Sequence, residues 1–139
     1  MPIRNCRISC FNGVSGLVSL PVGITNPANK KSIKINGIID TGASECFVPA
    51  RLSVLLGFDY STVHSSPVST GNGQGSSYKH RMNITIYDPE DPDKEMHTLR
   101  NVVVNFMPNA PVLLLGVAGF LSEFTLQIDY RNGTFSLTK

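Results

Sequence analysis

Proline and glycine interrupt this chain so often that its apolar residues come only in short runs. Twelve glycines and nine prolines are scattered along 139 residues, as in a domain of many short strands. Leu17 to Ile24 is apolar and partly β-branched and is expected to be a strand. Asn26-Pro27-Ala28-Asn29-Lys30 reads as a turn, and Ser32 to Asp40 as a second strand. The Asn36-Gly37 pair within it is either a tight hairpin turn or a glycine irregularity inside the strand. Pro49 to Leu56 is a short helix candidate, with Gly57 just past its end. From Arg81 to Tyr87 the pattern alternates, with Met82, Ile84 and Ile86 on one face, which is the signature of a half-buried strand. With the extended stretch from Val63 and the glycines between Gly71 and Gly75, this piece predicts a hairpin with a glycine tip.

Asp88 to Asp93 is read as a solvated turn, and Val102 to Phe106 and Val112 to Leu115 as buried strands. Ala118 to Glu123 is a second short helix candidate. Leu126 to Tyr130 and Thr134 to Leu137 form a closing hairpin across Arg131-Asn132-Gly133. The fold class expected is mostly β, largely antiparallel, with one or two short helices. The length suits a single domain over residues 1–139, and no repeat or linker divides it.

Composition excludes several functions. Apolar residues make up 41% and charged residues 16%, a globular balance. The net charge is +2 and no basic run exceeds Lys30-Lys31, so nucleic acid is not an expected partner. Cys6 and Cys10 could meet across a turn, but Cys46 would be left over, and free thiols are the expectation. Met1 to Asn5 lacks the apolar core of a signal peptide, and the apolar run from Pro111 to Leu121 is too short to span a bilayer. A cytoplasmic location without a membrane partner is therefore expected.

The stretch that carries chemistry is Ile38-Ile39-Asp40-Thr41-Gly42-Ala43-Ser44. An apolar strand delivers a carboxylate into a tight turn, where it is expected to be poorly solvated. Gly42 lets backbone turn and approach a ligand closely, and the Thr41 hydroxyl can hold neighbouring backbone in place. Acid–base peptide hydrolysis needs one group to take a proton from water and another to give one to the substrate. The chain has one Asp-Thr-Gly, so the second group is expected from a two-fold related copy, whose residues near the axis face their own images.

Residues 38–44 resemble the active-site motif of retropepsin-like aspartic peptidases: two apolar residues, Asp-Thr-Gly-Ala, then a small polar residue. Val112-Leu113-Leu114-Leu115-Gly116 followed by Gly119-Phe120-Leu121 resembles that family's apolar-apolar-Gly segment, and Leu126 to Leu137 its closing strands in bacterial members. The glycine-tipped hairpin falls between these marks, where the family has its flap. The likeness extends over residues 15–138. It implies the retropepsin-like acid-protease fold, a closed barrel-like domain with a flap hairpin. It also implies a homodimeric endopeptidase acting on polypeptide, with Asp40, Thr41 and Gly42 catalytic, Ala43, Ser44, Gly71, Asn72 and Gly73 binding substrate, and neither metal nor cofactor. As in aspartic proteases generally, two Asp40 carboxyls about 3 Å apart would share one proton.

The pattern departs from retroviral members at two places. They often pair an Arg after the downstream glycine with an Asp after the motif's Ala, and those positions here are Val117 and Ser44. The extension through Val14 has no counterpart; it either adds a strand or alters the dimer contact. A second function is consistent with these departures: a catalytically silent module that keeps the fold to bind peptides or to dimerise a longer protein.

Other readings of single residues are weaker. Asp40 taken alone would be a turn Asp accepting local backbone hydrogen bonds, and Gly71 to Gly75 a plain loop. Gly71-x-Gly73-x-Gly75 lacks the strand-to-helix setting of a dinucleotide fingerprint. His64, His80 and His97 show no metal-ligand spacing. Asp88 to Asp93 lacks the glycine and terminal Glu of a calcium loop, and Gly-x-Ser-x-Cys around Ser44 misses a nucleophile elbow. The sequons at Asn83 and Asn132 are read as accidental.

Overall fold

The computed structural model describes residues 1–8, 16–57, 65–70 and 73–139, with backbone alone for 65–70 and 73–76. Among the described residues ten strands follow one another: β1 (Pro2–Arg7), β2 (Ser19–Thr25), β3 (Ser32–Ile39), β4 (Cys46–Pro49), β5 (Ser65–Thr70), β6 (Gly73–Asp88), β7 (Asp91–Met107), β8 (Leu113–Leu115), β9 (Thr125–Asp129) and β10 (Thr134–Thr138). The larger sheet runs β2-β3-β8-β4-β7-β6-β5, and a further β2–β6 pairing closes six of its strands into a barrel. Closure removes the free edges of those six strands. The mostly β, barrel-like fold expected from the sequence is therefore what forms.

Alternation builds the barrel core. Leu20, Val22 and Ile24 of β2 and Met82, Ile84 and Ile86 of β6 are all fully buried, and in β6 the polar Asn83 and Thr85 between them are only half-buried. They meet Val104 and Phe106 of β7 and Leu113 and Leu115 of β8 in one cluster. Each such side chain contributes about 1.5–3 kcal/mol by leaving water. Gly37 stays inside β3 and makes no turn: it pairs with Leu20 and Leu113, and a Cβ there would lie 2.9 Å from the Leu113 side chain. The Leu113 and Leu115 side chains fill the space that a side chain at position 37 would need.

Three expectations are corrected. The Asp88 to Asp93 turn shrinks to Pro89-Glu90, because Asp88 already pairs with Asp91. β7 then continues without a break to Met107, eleven residues ahead of the expected start at Val102. Its first half is polar and mostly exposed, so it is held by backbone pairing to β6 and carries no apolar period to read. Where the ribbon bends, the register shifts between Met82 and Ile84. Asn101 takes a left-handed φ of 56° there, and its N–H donates to Asn83 Oδ1 at 3.1 Å, as at a β-bulge. Second, the Pro49 to Leu56 helix is a 3-10 turn over Ala50–Ser53, with Pro49 in β4. Gly57 at φ 77° ends this segment, and the Asn26 and Asn29 side chains cap the Leu56 carbonyl. Third, the expected helix at Ala118 to Glu123 is a 3-10 turn over Leu121–Glu123.

The N-terminal extension adds a strand. β1 pairs with β10, and β10 with β9, in a separate three-stranded sheet. Ile3, Cys6, Phe135 and Leu137 bury its inner face against the barrel cluster. Cys6 and Cys46 are buried free thiols; Cys10 lies outside the described residues.

Candidate active site

β3 and β4 flank β8 on its two sides, β3 parallel and β4 antiparallel to it. The chain from Asp40 to Glu45 must therefore stride across the end of β8. The Asp40 N–H donates to the Leu115 carbonyl at 3.0 Å, fixing where the strand stops. Beyond it Val117 N–H donates to Ala43 O at 2.9 Å and Ala118 N–H to Ser44 O at 2.8 Å. Gly116 passes beneath: a Cβ on it would lie 2.1 Å from the Glu45 carbonyl oxygen and 2.8 Å from that of Ala43. The two sequence marks, Asp-Thr-Gly and Leu-Leu-Gly, are thus the two layers of one crossing.

The loop presents its carboxylate on an open face. Asp40 is half-buried, and Oδ1 accepts from the Gly42 N–H at 2.9 Å, which orients the carboxyl. Thr41, Gly42 and Ser44 are exposed. Ala43 is buried, its N–H donating to Asp40 O at 3.2 Å and its carbonyl already engaged by Val117. Val117, just after Gly116, is 42% exposed. Gly73 begins β6 in the hairpin that pairs Ser65–Thr70 with Gly73–Tyr78. Gly71 and Asn72 lie outside the described residues.

Sequence reasoning missed a polar cluster behind this loop. The Glu45 carboxylate receives Lys79 Nζ on both oxygens at 3.1 Å and Asn105 Nδ2 on one at 2.6 Å. Asn105, itself buried, also donates to the Cys46 carbonyl at 3.1 Å and accepts from the buried Ser77 hydroxyl at 3.2 Å. Asn105's hydrogen bond, aided by Lys79 and opposed by burial, holds the Glu45 carboxyl below its ordinary range. No local pattern announces the cluster, since Glu45 and Asn105 are 60 residues apart. A groove of about 870 Å³ touches Glu45, Lys79 and Gly119 but is not lined by Asp40.

Among the described residues, no group of three His, Cys, Asp or Glu side chains could hold a metal ion. His97 stands edge-on to Phe124 at 5.9 Å, His80 Nδ1 lies 3.1 Å from the Arg81 carbonyl, and His64 is outside the described residues. No helix among the described residues is long and apolar enough to cross a membrane.

No protein-family model matches the chain, and no curated protein sequence does. Solved structures do. A retropepsin-like aspartic protease from Rickettsia conorii superposes with a TM-score of 0.64 at 22% identity, over 94% of this chain and 86% of that one. The EIAV protease complexed with the inhibitor HBY-793 gives a TM-score of 0.46 at 14% identity, over 78% and 88%. Barrel closure, the crossing of the Asp40 loop over β8, and the likeness to the Rickettsia structure lead to one conclusion: this chain has a retropepsin-like fold.

Proposed function

We propose that the chain is an aspartic endopeptidase that works as a homodimer, each copy supplying one Asp40. The observation that carries the reading is the open Asp40 loop. Its carboxylate accepts from the Gly42 N–H, and half-buried Asp40 is followed by exposed Thr41 and Gly42. The nearby Glu45 is occupied by Lys79 and Asn105 and is not free for acid–base work. A half-site of this kind needs a second carboxyl, and a two-fold copy provides it. The similar Rickettsia structure is itself a retropepsin-like aspartic protease.

In the paired site one carboxyl is ionised and one protonated. The ionised carboxylate takes a proton from water as the oxygen attacks the scissile carbonyl, and the protonated carboxyl gives its proton to the carbonyl oxygen. The gem-diol then collapses: the C–N bond breaks, the amine leaves with a proton, and the carboxyls return to sharing one. Thr41 braces the paired loops. Ala43 forms the floor and Ser44 the exposed wall beside an extended peptide. The β5–β6 hairpin, with Gly73 and the neighbouring Gly71 and Asn72, acts as a flap that holds the peptide by strand-like hydrogen bonds.

The test is a comparison of wild type and Asp40→Asn on a diverse peptide mixture from mildly acidic to neutral pH, read by mass spectrometry. Cuts by the wild type alone, blocked by a statine-type peptide, are expected. A strictly monomeric protein at high concentration would sink the paired site. A proven dimer that cuts nothing would move the function to peptide binding, which the exposed Val117 in place of an ion-paired arginine leaves room for.

A further inference from the structure

Lys79 sits where the β5–β6 hairpin joins the barrel. The β5–β6 hairpin runs from Thr70↔Gly73 down to Ser65↔Tyr78. At Tyr78, β6 leaves β5's last rung and enters the barrel, where Tyr78 faces Phe106 and Lys79 faces Asn105. The next rung down is Lys79–Asn105, and both of its side chains converge on the Glu45 carboxylate. Ser77, two residues up the same face of β6, closes the set through Asn105. Glu45 is also the last residue of the Asp40 loop before β4 starts at Cys46. Its backbone carbonyl rests over Gly116, so it has little freedom to shift.

A buried Asn and Ser here require an explanation, because polar groups are costly in a core unless fully paired. Both Asn105 N–H donors and its oxygen are used, and the partners lie at the end of the Asp40 loop, at the start of β4 and in β6 at the base of the hairpin. We propose that Glu45 is a positioning residue that ties the Asp40 loop to the base of the β5–β6 hairpin, so that hairpin closure and Asp40 alignment are coupled. The proposal deepens the endopeptidase reading and rests on it for its catalytic meaning, while the mechanical link can be measured without activity.

The experiment is hydrogen–deuterium exchange on the full chain and on Glu45→Gln, Lys79→Met and the double variant. Gln keeps an acceptor for Asn105 and removes the ion pair, so folding is preserved. Each single variant is expected to speed exchange about two- to fivefold, the range of a partly exposed ion pair, in both the 40–46 and the 73–79 segments. β9 and β10 should be unmoved. The double variant should exchange no faster than either single one, because both remove the same link. Acceleration in one segment alone, acceleration everywhere, or additive effects would overturn the proposal. Cleavage of peptides is followed in parallel with Asp40→Asn as control. If exchange behaves as expected but nothing is cut, the endopeptidase reading fails and the link stands. If peptides are cut and exchange is unmoved, the link alone fails. With cleavage present, Glu45→Gln should lower kcat/KM several-fold, through KM as hairpin closure weakens and through kcat as the Asp40 loop loosens, and a loss in KM alone would count against the coupling to Asp40.

Discussion

Gly116→Ala is the most severe single-methyl change that the crossing at β8 allows. The added Cβ would sit 2.1 Å from the Glu45 carbonyl oxygen, 2.6 Å from its carbon and 2.8 Å from the Ala43 oxygen. These are backbone atoms, so no rotamer change relieves the overlap, and the Ala43–Glu45 segment must rise by roughly 1 Å or more. Forced overpacking of this kind costs about 1–3 kcal/mol. The rise also stretches Val117 N–H to Ala43 O and Ala118 N–H to Ser44 O, now 2.9 and 2.8 Å, each worth about 1 kcal/mol. The sum is about 3–5 kcal/mol, or roughly 10–20 °C in Tm for a chain of this size. Gly133→Ala is the internal control. It has φ 66° and nothing within 4 Å, so it carries backbone strain alone, about 1 kcal/mol. Urea denaturation of both variants at one protein concentration, with unchanged slope, reads the difference. A Gly116→Ala loss no larger than that of Gly133→Ala would refute the crossing as described.

Glu45 makes stability depend on acid. Its folded carboxyl titrates below the ordinary value, so the ionised form favours folding, and that contribution is full above about pH 4.3 and lost as pH falls through the lower folded value. The stability gap between wild type and Glu45→Gln should therefore close on acidification; a gap constant from about pH 6 to about pH 3 would contradict this. Cys46 is pushed up to about 11, chiefly by burial with the Gly116 backbone opposing. Alkylation at about pH 8 should leave it unlabelled until denaturant is added, and peptide mapping that finds it labelled in the native protein would refute its burial. Phe106→Ala, at a fully buried position between β4 and β6, should cost about 3–5 kcal/mol in the same denaturation assay.

Much of the architecture is legible in residues because the barrel is built from short-range patterns. The alternation Met82, Ile84, Ile86 determined a half-buried strand, and all three side chains are fully buried. Arg131-Asn132-Gly133 determined a closing turn, and Gly133 takes the left-handed φ that such a turn requires. The Asp-Thr-Gly loop after two apolar residues marked Asp40 as the candidate carboxylate, which emerges from the end of β3 on an open face. What could not be read was anything held by backbone alone or by distant partners. The polar first half of β7 has no period to detect, and it is a strand because β6 pairs with it residue by residue. The extension at β1 found its place only because β10 returns beside it. The need for glycine at position 116 arises from the loop stacked over it. Glu45, Ser77, Lys79 and Asn105 carry no common motif, and only the strand order of the sheet, which sets β4 beside β7 and β7 beside β6, brings their side chains within hydrogen-bonding range. Local sequence determines which segments extend and turn; tertiary structure decides which polar groups are forced to satisfy one another away from water.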